Sequence, residues 1–143
     1  MHPRFDLARP IKMINWLWFF TIPWIPVAEP VPEVWGWQTD RWTPIVAEAL
    51  EDYGIPDQLD TFMRVLHCES RGDPYAHNTD VYSNPADQAS GLMQHMPRYW
   101  DDRAAAIGMA GYSPFDPIAN IYASAWLLTT RGGGWQHWSC YGL

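Results

Sequence analysis

The chain has 143 residues, a net charge of -7 and a pI near 5.0, which leaves room for one domain with a modest core and excludes a nucleic-acid binder, since that needs a basic face to meet phosphates. Ten tryptophans are more than a core of this size requires, so some serve a surface. Two cysteines, Cys68 and Cys140, and no Cys or His cluster at metal-ligand spacing leave neither a metal nor another cofactor to expect.

Arg4, Arg9 and Lys12 precede a nearly unbroken apolar run from Met13 to Ala28, the layout of an export signal or membrane anchor. Trp16, Trp18 and Trp24 in that run fit membrane association through residues 13–28. Pro23 and Pro26 interrupt it and it is short for a span, so an apolar arm packed on the domain or a partner is the other reading. Pro30 and Pro32 make Glu29 to Gly36 an extended linker, so residues 1–36 are expected to be leader plus linker and residues 37–143 the folded domain.

Thr43 followed by Pro44 reads as a cap and first-turn proline, and Ile45, Val46, Ala49 and Leu50 continue at helical spacing to Gly54. Pro56 and Asp57 open a second helix with Asp57 as its expected cap, and Leu59, Phe62, Met63 and Leu66 form its apolar stripe. Continuing the stripe by three reaches Glu69, before Gly72 and Pro74 stop the helix. Partial burial and the negative end of the helix dipole both disfavour the ionised form there, so the Glu69 pKa is expected to rise. Ser70 is expected to bond the backbone at this helix end, and Arg71 to point to solvent.

Residues 75–90, with Asn78, Asp80, Asn84, Pro85 and Asp87, lack any hydrophobic period and read as a loop. Pro97 opens a helix through Trp100 to Ile107. Asp116 and Pro117 then cap a helix to Arg131 whose stripe is Ile118, Ile121, Tyr122, Ala125 and Leu128. The glycines at 132–134 let the tail turn back towards Cys68, and two distant cysteines in a chain with an export-like leader suggest one disulfide, two buried thiols being the alternative. The elements make a mainly α fold. His67 and His95, without a third partner, are expected to be satisfied, partly buried side chains.

Glu69-Ser70, Asn78, Ser90-Gly91-Leu92-Met93-Gln94 with Pro97, and Asn120-Ile121 opening an Ala-rich helix together resemble the soluble lytic transglycosylase family over roughly residues 60–130. Cys68 directly before Glu69, paired with Trp135-x-x-Trp138-Ser139-Cys140-Tyr141, is similar to secreted lysozyme-like domains of actinobacteria and their phages, resuscitation-promoting factors among them. The later Ala-Tyr-Asn motif of the larger transglycosylases is lacking.

The resemblance implies a small lysozyme-like helical domain with a loop-lined cleft, acting on peptidoglycan glycan strands outside the cytoplasm, secreted, membrane-anchored or phage-delivered, and working as a monomer. It implies that Glu69 protonates the bond between N-acetylmuramic acid and N-acetylglucosamine, then acts as base on the muramoyl 6-hydroxyl to leave a 1,6-anhydro sugar. Ser90, Met93, Gln94, Tyr122, Trp135 and Trp138 are the expected substrate contacts, with core packing the alternative for Met93 and Tyr122, loop capping for Gln94 and packing over a disulfide for the two tryptophans. A muramidase would need a second carboxylate to activate water, for which Asp80 and Asp87 lie in the loop. A non-catalytic glycan-binding or virion structural protein is the alternative of another class, and a poised acid speaks against it.

Overall fold

The structure is a computed structural model that describes residues 34–80 and 84–143. The expectations for residues 13–28, signal or anchor, lie outside the described residues. Among the described residues the regular elements are helices: α1 (Trp37–Asp40), α2 (Thr43–Asp52), α3 (Leu59–Ser70), α4 (Pro97–Ala106) and α5 (Pro117–Thr129), with 3-10 turns at Pro56–Gln58, Pro85–Asp87, Trp135–His137 and Ser139–Gly142. Two isolated antiparallel bridges, His77 to Ser90 and Ser90 to His95, pin the central loop. Among the described residues no helix is long and apolar enough to cross a membrane.

The apolar stripe of α3 makes the core: Phe62, Val65 and Leu66 are fully buried and Met63 nearly so, against Val46, Ala49 and Leu50 of α2 and Ile121 and Ala125 of α5. Each of the Val, Leu, Ile, Phe and Met side chains among them contributes about 1.5–3 kcal/mol by leaving water. Leu92, Met93, Trp138 and Cys140 join the same cluster, so the central loop and the tail are part of the core. A smaller cluster of Trp100 and Ala104 against Ala119 and Ala123 joins α4 to α5.

The helix α5 is central rather than amphipathic. Ala119, Asn120, Ile121, Ala123, Ser124, Ala125 and Leu127 are all buried, while Ile118, assigned to the apolar stripe, is 44% exposed. Small residues on most of its faces let α2 approach from one side and α4 from another. The expected caps divide. Asp116 accepts a hydrogen bond from the Ala119 amide at 2.9 Å and is a true N-cap. Thr43 is already the first helical residue of α2, behind Trp42, and Asp57 sits inside the 3-10 turn before α3, where its carboxylate accepts from Gln58 instead of from the helix.

These differences make a paired test. Asp116→Ala is expected to lower the free energy of urea unfolding by about 1 kcal/mol, and Thr43→Ala by less than about 0.5 kcal/mol, because only the first removes a cap bond.

Candidate active site

The last turn of α3 ends in two residues of left-handed conformation, Arg71 (φ 56°) and Gly72 (φ 79°), which reverse the chain just after Glu69. The Ser70 hydroxyl donates to the Leu66 carbonyl and accepts from the Gly72 amide, closing the helix end as expected. Arg71 is exposed.

Glu69 is half-buried, and desolvation pushes its pKa up from the ordinary carboxyl value. A hydrogen bond from the Cys140 backbone opposes that rise by favouring the carboxylate. The Cys68–Cys140 disulfide brings the two together, joining residues 72 apart in the chain. The acid therefore sits between the end of its own helix and the tail.

The other expected site residues fall into three places. Ser90, Met93, Gln94 and Trp138 meet in one knot, but mostly through groups turned inward. Ser90 is buried and its hydroxyl donates to the Gln88 carbonyl. Met93 is fully buried, its amide donating to Asn120 Oδ1 at 2.8 Å and its carbonyl accepting from Trp138 Nε1 at 2.8 Å. The Gln94 amide nitrogen donates to the carbonyls of Ala76 and Gly91, leaving Oε1 as the part of that amide available to a ligand. Ser90, Met93 and Trp138 thus build the wall behind a surface rather than the surface.

Tyr122 turns elsewhere. Its hydroxyl donates to Asp52 Oδ2 at 3.0 Å, and desolvation together with that carboxylate raises its pKa to about 12. Trp135 stacks on Tyr141 and donates from Nε1 to Gln58 Oε1, at the opposite end of α3 from Glu69. Eleven residues at 1.5 Å each put roughly 16 Å of helix between those ends. A concavity of about 260 Å³ lies there, lined by Trp135, Gln58, Asp57, Ile55, Leu128 and Gly134.

Of the two loop carboxylates, Asp87 is engaged in an ion pair with Arg98. Asp80 is exposed, and its amide donates to Asn78 Oδ1. Among the described residues no group of three His, Cys, Asp or Glu side chains could hold a metal ion.

Sequence reasoning missed the network that carries the Gly-Leu-Met-Gln turn. Asn120, wholly buried, also donates from Nδ2 to the carbonyls of Ser90 and Pro114. Gly91 (φ 81°) passes so close that a Cβ would lie 2.2 Å from the Pro114 carbonyl oxygen and 2.3 Å from Asn120 Nδ2. His95 is buried between Arg103, which donates to Nδ1 at 2.7 Å, and Ser124, 2.8 Å from Nε2. Arginine can only donate, so Nδ1 is the acceptor and Nε2 carries the proton. Ser124 passes the chain on to the Asn120 carbonyl. Burial first, and the Arg103 charge second, lower the His95 pKa to about 3. A polar residue at 120 within an apolar run was the available signal.

The sequence model of the Transglycosylase SLT domain family matches residues 44–141, well over half of the chain. No curated protein and no solved structure matches it.

The His95 arrangement has a measurable consequence. The unfolded chain binds a proton at this histidine below about pH 6.5, whereas the folded site refuses it until about pH 3. Its stabilisation is therefore complete above 6.5 and lost as pH falls through that window. Chemical unfolding at pH 7, 5.5 and 4 is expected to show a steeper loss of stability in the wild type than in His95→Asn.

Proposed function

The chain belongs to the transglycosylase SLT domain family, and on that premise we propose that Glu69 alone serves as acid and then base in a non-hydrolytic cleavage of the glycan strand. The enzyme is of the lytic transglycosylase type and acts on peptidoglycan, in the extracytoplasmic space. Reaction by a monomer, exported or anchored through residues 13–28, completes the reading.

The observation that carries it is the half-buried carboxyl with a raised pKa at the end of α3. Protonated Glu69 gives its proton to the oxygen joining N-acetylmuramic acid to N-acetylglucosamine. The C1–O bond breaks, the electron pair leaves with that oxygen, and the N-acetylglucosamine 4-hydroxyl departs. Positive charge on the muramoyl C1 now faces a Glu69 carboxylate, which the Cys140 backbone bond stabilises. The carboxylate takes the proton from the muramoyl 6-hydroxyl as its oxygen attacks C1. The products are a 1,6-anhydro ring and a re-protonated Glu69, with no water consumed.

One carboxyl can serve both steps because its two surroundings oppose each other: desolvation favours the acid and the backbone bond favours the base. The ion pair of Asp87 with Arg98 weighs against hydrolysis, since a carboxylate committed to a guanidinium is a poor water activator. Gln94 Oε1 and the backbone of the turn around it are the substrate-facing groups this reading assigns to the central loop.

The test is purified peptidoglycan with wild type and Glu69→Gln. Wild type clears the suspension and the variant loses at least ~10³-fold of that rate, given that acid–base catalysis contributes about 10²–10⁴-fold per step. Mass spectrometry of the released fragments shows anhydro ends. Reducing ends one water heavier mean hydrolysis and would replace this reading with a muramidase.

A further inference from the structure

We propose that the segment Val34–Trp42, which precedes the family's matched region, is a positioning device for Glu69, with Thr39 and Trp42 as its working residues. This rests on the reading of Glu69 as the acid. Positioning enters because the turn after Glu69 is not one the chain adopts unaided. Arg71 stands in the left-handed region, which is disfavoured for a residue with a side chain and persists only where the surroundings over-determine it.

The surroundings that do so come from α1 and its flanks. Two residues before Glu69, His67 Nδ1 shares a hydrogen bond of 2.9 Å with the buried Thr39 hydroxyl, and its ring packs on Trp35 with centroids 5.2 Å apart. Three residues after Glu69, the Gly72 carbonyl accepts from Trp42 Nε1 at 2.9 Å and from the Arg41 guanidinium at 3.3 Å. Gly72 itself lies so close that a Cβ would sit 2.2 Å from the Gln38 carbonyl oxygen. The backbone carrying Glu69 is thus gripped on both sides by one short stretch of chain.

That stretch is built for the purpose. Asp40 accepts from the amides of Val34 and Trp35, closing the segment on itself, and Arg41 lies over the Trp37 and Trp42 rings at 5.2 and 4.7 Å. Thr39 bonds the His67 ring, and Arg41 and Trp42 bond the Gly72 carbonyl, so they act on Glu69 through the backbone on either side of it. The angle at which Glu69 meets the glycosidic oxygen is thereby set from outside the family's matched region.

The experiment uses the full chain and glycan strands of defined length, with kcat, KM and thermal unfolding measured in parallel. The double variant Thr39→Val, Trp42→Phe keeps the volume at 39 and an aromatic ring at 42 and removes both side-chain bonds. It is expected to lower kcat by about 10- to 100-fold, since misplacement of a reacting group by an ångström costs on that order. KM stays within about twofold, because ground-state binding is untouched. Thr39→Ser, which keeps the hydroxyl, retains wild-type kcat. Gly72→Ala is the harsher form and serves only as a folding control. A double variant whose kcat, taken well below its unfolding temperature, equals wild type would overturn the positioning role, as would a change confined to KM. Turnover that survives Glu69→Gln sinks the acid assignment and this inference together, whereas loss there with an unaffected double variant sinks this inference alone.

Discussion

The tie between the end of α3 and the C-terminal tail is the constraint on which the site depends. The Cys68–Cys140 disulfide closes a loop of 72 residues, and cross-linking over that span removes about 4 kcal/mol of unfolded-state entropy. Its local effect matters more for chemistry. It holds the Cys140 backbone against the Glu69 carboxyl and the Trp138 indole against the Met93 carbonyl. One covalent bond therefore anchors a tail that touches both Glu69 and the central loop.

Beneath that loop the fold accepts an expensive solution. Asn120, Ser124 and His95 are polar and buried in the middle of the helical core, and each unmade bond there would cost about 1–3 kcal/mol. All are made: among the described residues no buried side-chain nitrogen or oxygen lacks a partner. What the network obtains is a turn of fixed shape, with Gly91 pressed on Asn120 and Gln94 in a left-handed conformation (φ 51°). Apolar packing alone would allow that turn to slide.

Much of this was legible in the sequence. The stripe of α3 from Leu59 to Leu66 leads to Glu69 by spacing alone, and burial there does raise the carboxyl pKa. The resemblance picks out the turn from Ser90 to Gln94. It could not say which way the side chains there point, because a motif marks a loop in one dimension and Met93 and Ser90 serve the core side of it. Helix α5 was misread for a related reason: small residues hide a helix's second buried face, since Ala and Ser carry little hydrophobic signal. The partners of His95 stand 8 and 29 residues away, and the grip of Thr39 and Trp42 on the Glu69 turn spans about thirty residues, distances that periodicity does not reach.

In the proposed reaction Glu69 is held as an acid by its surroundings, and a titration of that carboxyl is the check. Carbon-13 labelling of glutamate carboxyls and an NMR pH titration, with Glu69→Gln identifying the resonance, reads the group without substrate. The expected midpoint lies clearly above that of an ordinary glutamate, because desolvation outweighs the Cys140 backbone bond. A midpoint at or below the ordinary value would contradict it.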